Sequence, residues 1–296
     1  MQYVKKWIAD SEYIFLEVII YDEQDIEELS NYTSEKNVII SLDNIKFLKS
    51  FNQIEKLIIT SGQPSYDMDS VFRDMTYLRS LKIDYEEVDP STNWCIDISV
   101  FPRLEYLFSR SSYNFCGVSD SKTLKTLIVM KWYQNDLLSL KNSSLDSLCI
   151  YGGRLKCLKG IEDTAIKILS LSNLRGLYDI SWAKQLPLKI LEIENCNKII
   201  DFEEFYSEDL EYLMIYGKNQ ISSGNFILKY KNLKRILLDV MIIDGDLNSF
   251  DNLEHAVILT DKKHFNRKNK ELPKSLTKYE IENIPDWRYI YSNRNI

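Results

Sequence analysis

The chain has 296 residues, of which 45% are hydrophobic and 27% are charged, and its formal net charge is −7. This length predicts one large domain or two of average size, with enough apolar residues for a sizeable core. The negative charge argues against a general nucleic-acid binder or a protein held on an anionic membrane, because the long-range field has the wrong sign. It leaves open a basic protein partner.

The amino-terminal segment, residues 1–20, resembles neither a signal peptide nor a membrane anchor. Lys5 and Lys6 are followed by Asp10, Glu12 and Glu17, which interrupt what would have to be the apolar signal core. No run in the chain approaches the ~18 apolar residues of a membrane span. The last residues, "YIYSNRNI", carry no sorting pattern. We therefore expect a cytoplasmic protein that does not contact a membrane.

From residue 54 onward the chain repeats the pattern aliphatic-x-x-aliphatic-x-aliphatic. Even spacing, rather than the number of matches, is the evidence for a true repeat, because so loose a pattern also occurs by chance. Three matches depart from Ile, Leu or Val, at Ser109, Ala256 and Tyr279. The matches begin 20 to 26 residues apart, at residues 54, 78, 104, 124, 145, 166, 188, 210, 233, 253 and 276. Large apolar residues precede several of them by three positions: Phe51, Met75, Phe101, Tyr230 and Phe250.

This pattern, together with "LPKSLTKYEI" at 272–281, resembles the leucine-rich repeat family. The resemblance covers residues 54–284, with two degenerate units in 13–53, marked by Leu16 and Val18 and by Val38 and Ile40, and a carboxy-terminal cap at 285–296. It implies one domain over residues 1–296. The expected fold is an α/β solenoid, a curved arc with a parallel β-sheet on its concave face and loops or short helices on its convex face.

The repeat length explains this architecture physically. Positions are counted from the first aliphatic residue of each match. Positions 4 and 6 of each unit point to the same face of a short strand, and that face forms the core. One unit cannot bury its apolar face alone, so the units must stack. Acids followed by apolar residues predict short helices at 67–75 and 201–210. The leucine-rich repeat family usually places asparagine or cysteine at position 9. Asparagine is mostly absent from that position here, and only Cys196 matches the family's preference.

Two groups of residues between the core positions are candidates for partner binding on the concave face. Exposed aromatic residues beside arginine are typical of interface hot spots, and acids beside tyrosines suit a basic protein surface. The ordinary alternative is a solvated sheet face without a partner. The first group contains Tyr106, Phe108, Arg110, Ile128, Met130, Trp132 and Tyr151. The second group contains Glu192, Glu194, Tyr212, Tyr216 and Asp239.

The sequence gives little support for catalysis or for a cofactor. The five cysteines are widely scattered, and we expect free, buried thiols in a reducing compartment. His255 and His264 are the only histidines. His255 falls far along the expected arc from Cys149 and at least two units from Cys196, which disfavours a Cys–His pair, and two lone histidines do not supply a metal site. Glu192 and Glu194 form at most a weak oxygen-ligand site, and no phosphate-binding glycine motif occurs. We therefore expect neither a metal nor a cofactor.

The family resemblance implies a non-catalytic scaffold that binds a protein on its concave face. In a bacterium, a free-standing acidic chain of this kind would suit an immunity or inhibitor protein that caps a toxin or an enzyme. An adaptor or substrate-recognition subunit is an alternative, as is a secreted or surface adhesin of the internalin type. An enzyme of unrecognised kind is a further alternative, for which we expect no activity.

Overall fold

A computed structural model describes residues 5–7, 14–18, 30–51, 53–60, 62, 68–85, 95–199 and 205–273 of the chain. The chain divides into two compact units, Met1–Val129 and Met130–Asn295. They are called the first unit and the second unit, and each is described by itself.

The first unit contains a mainly parallel sheet in the order β1-β2-β3-β4-β5-β7-β9 and a separate parallel pair, β6-β8. Only β1 and β2 pair antiparallel within the described part of this unit. The strands are β1 (Lys5–Trp7), β2 (Ile14–Val18), β3 (Asn37–Ser41), β4 (Lys56–Thr60), β5 (Ser80–Ile83), β6 (Ile96–Asp97), β7 (Tyr106–Ser109), β8 (Phe115–Cys116) and β9 (Thr126–Val129).

Equivalent repeat positions stand side by side in this sheet. Leu57 pairs with Leu81, Leu81 with Leu107 and Leu107 with Leu127, and all four are buried. Ser109 takes an aliphatic position, where its buried hydroxyl donates a 2.8 Å hydrogen bond to the Ser111 carbonyl. That bond satisfies the polar atom, so the polar departure from the pattern is tolerated in the core.

The two degenerate units predicted in residues 13–53 each supply a strand. In the pairing of β2 with β3, Leu16 stands opposite Val38 and Val18 opposite Ile40. Strand β3 continues the register into β4, since Val38 pairs with Leu57. The repeat pairing therefore begins before residue 54, while the assignment of the whole chain to one domain stays a prediction.

The described part of the second unit contains six parallel strands in chain order. They are β10 (Ser147–Ile150), β11 (Ile168–Ser172), β12 (Ile190–Glu194), β13 (Tyr212–Ile221), β14 (Arg235–Ile242) and β15 (His255–Ile258). Two bonds from the following segment cover the edge of β15: the Ala256 N–H donates to the Pro273 carbonyl, and the Ile258 N–H donates to Asn269 Oδ1. An edge closed in this way does not offer these donors to another strand.

Turns, short 3-10 helices and one α-helix connect the strands among the described residues. Helix α1 (Met68–Arg73) confirms the helix predicted at 67–75. Each of the five large apolar residues that precede a repeat by three positions is buried and therefore belongs to the core. The 3-10 segments are Ser30–Tyr32, Leu42–Ser50, Ile98–Val100, Leu138–Leu140, Ser181–Gln185, Gly224–Lys229, Asn248–Asn252 and Asn269–Glu271. In each unit the described strands after β1 stack in parallel as in the α/β solenoid that the leucine-rich repeat resemblance implies.

The helix predicted at 201–210 is wrong for its described part, because residues 205–210 form turns and irregular backbone. Ser207 gives the physical reason. Its buried hydroxyl lies 3.2 Å from the carbonyls of Leu186 and Leu188, so the segment is bound to the preceding connection rather than to itself. Residues 201–204, the last predicted repeat at 276–281 and the cap at 285–296 lie outside the described residues.

Candidate partner-binding face

The strand face is defined here as the surface formed by the side chains at positions 3, 5 and 7 of each repeat. In the second unit the parallel register sets these side chains in rows. At position 7, Ser172 pairs with Glu194, Glu194 with Tyr216 and Tyr216 with Asp239. At position 5, Ser170 pairs with Glu192. The acids and tyrosines predicted as one group therefore do lie on one face.

The central row, at position 5, is closed to solvent on β10, β11 and β12, whereas Met214 on β13 is half-buried. Glu192 is only 3% exposed, and both Ser170 beside it and Cys149 on the strand beyond Ser170 are buried as well. The Ser170 hydroxyl donates a 3.1 Å hydrogen bond to Glu192 Oε2. The expectation that Glu192 projects from the face is therefore wrong: neighbouring strands only ~4.8 Å apart enclose it, and the hydroxyl helps to satisfy the carboxylate.

The position-7 row remains open. Glu194, Tyr216 and Asp239 are each half-buried, and the Ser172 hydroxyl donates a 2.8 Å hydrogen bond to Glu194 Oε2. Neither Glu194 nor Asp239 forms an ion pair with a lysine or arginine of the described chain. Tyr212, in the position-3 row, is also half-buried. Two carboxylates and two tyrosines thus reach solvent together.

Asparagines fix the backbone where this row ends. Asn173 and Asn195 adopt left-handed φ angles of 56° and 54°, which asparagine tolerates better than most residues. The Asn173 N–H donates to the Glu194 carbonyl at 2.8 Å, and the Asn195 N–H donates to the Tyr216 carbonyl at 2.7 Å. The turns after β11 and β12 thereby hold the ends of the next strands, which positions the Glu194 and Tyr216 side chains.

An exposed aliphatic patch adjoins the acidic row and was missed from the sequence. Strand β13 carries extra residues between Tyr216 and Gln220, and β14 runs on past Asp239. Beyond Asp239 the exposed residues alternate with buried ones along the chain, so they continue the same face. The aliphatic patch consists of Met241, Ile243 and Leu259, which are 38%, 57% and 39% exposed. The long β14 strand with period-2 alternation was the available sequence signal.

The strand face of the first unit has a different electrostatic character. Tyr106, Phe108 and Arg110 are half-buried there, and their role as partner contacts stays a prediction. Arg110 Nε lies 2.5 Å from Asp84 Oδ1, and Lys82 Nζ lies 3.3 Å from Asp84 Oδ2 and 5.3 Å from the centre of the Phe108 ring. Burial acts to raise the pKa of Asp84, but the Arg110 hydrogen bond and the two positive charges hold it below its usual value.

Of the remaining aromatic candidates, which belong to the second unit, Trp132 is not a surface residue. Met130 is exposed and Tyr151 is half-buried, but Trp132 is only 1% exposed, so its predicted exposure is wrong. Its indole N–H donates a 2.9 Å hydrogen bond to the Asp136 carbonyl. Trp132 occupies position 9, where the chain turns inward. Asp136, later in the same connection, satisfies the one polar atom of the indole.

The expectation of five free thiols is wrong for two cysteines. Cys95 and Cys116 form a disulfide with a Cα–Cα distance of 5.9 Å. They are 21 residues apart, about one repeat, so the stack places them on neighbouring strands β6 and β8 or beside them. Cys149 and Cys196 are buried thiols outside the disulfide, as predicted, whereas Cys157 is a thiol that is partly exposed.

Cys196 lies inside the turn, as its position-9 location predicted. Its Sγ is 3.4 Å from the Glu194 carbonyl and 3.5 Å from the Leu171 carbonyl. Burial raises the pKa of the thiol to about 11, which leaves it protonated at neutral pH. A buried neutral thiol of this kind is a packing residue rather than a nucleophile.

Buried asparagines replace the expected position-9 asparagine elsewhere. Asn219 Nδ2 donates to the carbonyls of Cys196 and Ile199, and Asn114 Nδ2 donates to the Tyr85 carbonyl. Each bond reaches the backbone of the preceding repeat. A polar ladder of the kind that the resemblance implies is therefore present in part, but one or two positions later than the sequence pattern places it.

The chemistry of the described residues adds no further site. No group of three or more His, Cys, Asp or Glu side chains among them could hold a metal ion. His264 Nε2 lies 2.8 Å from the Ile242 carbonyl, and His255 lies on β15 beside Arg235 of β14. No helix within the described ranges is long and apolar enough to cross a membrane.

Comparisons with known proteins found similarity in structure only. No protein-family model matches the chain, and no curated protein matches it. One similar solved structure is an internalin, InlF, from Listeria monocytogenes, with a TM-score of 0.48 and 18% identity over 80% of this chain and 70% of that chain. Another is a TLR13–ssRNA13 complex, with a TM-score of 0.46 and 17% identity over 82% of this chain and 42% of the TLR13 chain.

Proposed function

We propose that this chain is a non-catalytic protein-binding scaffold and that the strand face of its second unit binds a basic protein surface. The observation that carries the proposal is the row of Glu194, Tyr216 and Asp239, which reaches solvent from three adjacent parallel strands. A rigid sheet holds these groups in place before binding, so little conformational entropy is lost when a partner docks.

The charges in this row favour a cationic partner. Glu194 receives a hydrogen bond from Ser172 but, like Asp239, forms no ion pair with a described lysine or arginine. A lysine or arginine from a partner would form an ion pair with one of these carboxylates. The pair would be partly desolvated on docking. The overall charge of −7 would add long-range attraction, which raises the association rate more than the final affinity.

The neighbouring groups supply the apolar part of an interface. Tyr212 and Tyr216 offer large rings with few rotatable bonds, which is why tyrosine is enriched in binding surfaces. Met241, Ile243 and Leu259 extend the same face with exposed aliphatic side chains. An acidic row beside an aliphatic patch fits a partner surface that presents lysine or arginine next to apolar residues. The acidic row disfavours an anionic ligand such as RNA.

The immunity or inhibitor role is the finer form of this proposal. A scaffold that covers a basic binding surface of an enzyme or toxin would block substrate access without any chemistry of its own. The acidic face and the net charge of the chain support this form. Loss of the bound protein's activity on stoichiometric addition of this chain would test it, and an active complex would contradict it.

The binding experiment compares two double variants with the same change in net charge. E194Q/D239N removes the two solvent-facing carboxylates of the row, while E208Q/E254Q removes two exposed acids that lie off the strand face. Each protein is immobilised and exposed to lysate of the native host at low and high salt. We expect E194Q/D239N to retain the stoichiometric basic partner about tenfold less than wild type, and E208Q/E254Q to behave as wild type. Equal retention by all three proteins would contradict the proposed face.

A further inference from the structure

One cysteine of the disulfide lies within the longest connection of the repeat series. The repeats that begin at residues 78 and 104 are 26 residues apart, against 20 to 24 for every other neighbouring pair. Strand β5 ends at Ile83 and strand β7 begins at Tyr106. Cys95 lies between them, and its partner Cys116 lies about one repeat later. A cross-link at this place shortens the chain length that is free to fluctuate in the unfolded state, which is how a disulfide stabilises a fold.

The surrounding contacts hold the two cysteines in position independently of the S–S bond. Ile96 pairs with Phe115 in the β6–β8 sheet, and both side chains are buried. The Ile96 N–H donates to the Asn114 carbonyl at 2.9 Å, while the buried Asn114 amide donates to the Tyr85 carbonyl at 3.0 Å. These bonds hold Ile96 and Phe115, the residues next to the two cysteines, on adjacent strands.

The turn after Cys116 is equally determined. Gly117 has a φ of 74°, and an added Cβ would meet Asp97 Oδ1. Asp97 in turn accepts hydrogen bonds from the Ser99 N–H at 3.0 Å and the Ser99 hydroxyl at 2.7 Å. The backbone on either side of the cross-link is therefore built to bring the two sulfur atoms together.

The pair is also accessible to redox reagents. Cys116 is exposed and Cys95 is partly exposed, in contrast to the buried Cys149 and Cys196. Reducing agents of a cytosol keep such accessible pairs as thiols, whereas an oxidising compartment keeps them joined. An exposed pair in preset geometry therefore reports the compartment in which the protein works.

We propose that Cys95–Cys116 is a maintained structural cross-link and that this chain acts in an oxidising compartment rather than in a reducing cytosol. The bond forms by exchange with a small-molecule or protein disulfide. One cysteine thiolate attacks that disulfide and releases a thiolate, and the second cysteine thiolate then displaces the other half. The two cysteines lose two electrons and two protons, and the oxidant is reduced to two thiols. This assignment favours the secreted or surface-exposed alternatives over a cytoplasmic scaffold.

Thiol trapping in the native host tests the proposal directly. Cells and medium are fractionated, quenched with acid, denatured and alkylated with N-ethylmaleimide, and the protein is analysed by mass spectrometry with and without reduction. We expect three alkylated cysteines, Cys149, Cys157 and Cys196, before reduction and five after it. Five alkylated cysteines before reduction would overturn the cross-link. Three alkylated cysteines on protein found only in the cytosolic fraction would overturn the compartment.

A pair of variants tests the structural contribution separately. C95S/C116S removes the cross-link, and C157S removes a free cysteine as the matched control. We expect reductant to lower the melting temperature of wild type and of C157S by about 5 °C and to leave C95S/C116S unchanged. No effect of reductant on wild type would overturn the structural role. Binding through the second unit would persist in C95S/C116S, so this failure is distinguishable from failure of the proposed function.

Discussion

The strand faces of the two units carry the same backbone arrangement and opposite electrostatic conditions. In the first unit, Asp84 at position 7 lies between Lys82 and Arg110 and is neutralised within the face. In the second unit, Glu194 and Asp239 take the same position, and Glu194 receives only a serine hydroxyl from the described chain. The repeat therefore determines where a side chain points, while the residue at a variable position decides whether the face needs a partner.

Both units share a second row of charges at position 2, just before the strands. In the first unit Lys36 pairs with Glu55 at 2.7 Å and Arg79 with Glu105 at 3.4 Å. In the second unit the pairs are Lys167–Asp146 at 3.3 Å, Lys189–Glu211 at 3.6 Å and Lys234–Glu211 at 2.7 Å. Alternating charges at this row favour the correct register between neighbouring repeats. These pairs are largely exposed, so each contributes little to stability.

The largest expected effect separates packing from binding within the second unit. Trp132→Ala removes a buried indole and its hydrogen bond to Asp136, and we expect a loss of about 4 kcal/mol in the free energy of unfolding. Tyr151→Ala, at a half-buried residue, is the control and should lose about 1 kcal/mol or less. Denaturant unfolding followed by circular dichroism measures both. A small loss of stability for Trp132→Ala would contradict the burial of Trp132 and indicate that its indole is exposed.

The next effect concerns the aliphatic patch of the second unit. M241S/I243S should weaken partner binding about tenfold without lowering stability, because both side chains are exposed in the free protein. Leu228→Ser, at a 59% exposed leucine on a connection, is the control and should bind as wild type. Titration calorimetry with the captured partner gives the affinities. Unchanged affinity for M241S/I243S would limit the interface to the acidic row.

A smaller effect tests the internal neutralisation of the first unit. The pKa of Asp84 is lowered in the folded protein, so the stability it contributes is present above its unfolded pKa near 3.8 and is lost as the pH falls through the folded value. We expect Arg110→Gln to return the pKa of Asp84 toward 3.8 and to weaken this pH dependence, by under about 1 kcal/mol because the pair is partly exposed. NMR titration of the Asp84 carboxyl carbon measures the shift. The same low pKa in Arg110→Gln would show that Arg110 is not its cause.

The smallest effect concerns the position-2 charges common to both units. The hydrogen bond from Lys234 holds the pKa of Glu211 below its usual value, but the side chain is 37% exposed and therefore screened by solvent. Glu211→Gln should lower the melting temperature by about 1 °C or less, and 0.5 M salt should remove the difference. We expect the same small, salt-sensitive loss for Glu105→Gln in the first unit. Differential scanning calorimetry at two salt concentrations decides this. A large loss that persists in salt would mean that the charge row is a structural element.

Sequence periodicity predicted much of the fold because its causes are local. Spacing of two residues sends positions 4 and 6 to one side of a strand, and a repeat near 22 residues forces stacking, so buried leucines such as Leu57, Leu81 and Leu107 follow directly. The same spacing placed Glu194, Tyr216 and Asp239 in one row. The predicted helix at 201–210 failed in its described part because Ser207 bonds to a preceding connection, which no local pattern reveals.

By itself, then, the sequence determined the repeat, the strand positions and the side of the sheet on which each residue of the strands lies. Only the tertiary structure decided which of these residues reach solvent: it buried Trp132 and Glu192 and exposed Met241 and Ile243. It also joined Cys95 to Cys116, which the chain separates by 21 residues. The physical reason is that direction follows from backbone geometry along one strand, whereas burial and covalent pairing depend on the neighbours that stacking brings alongside.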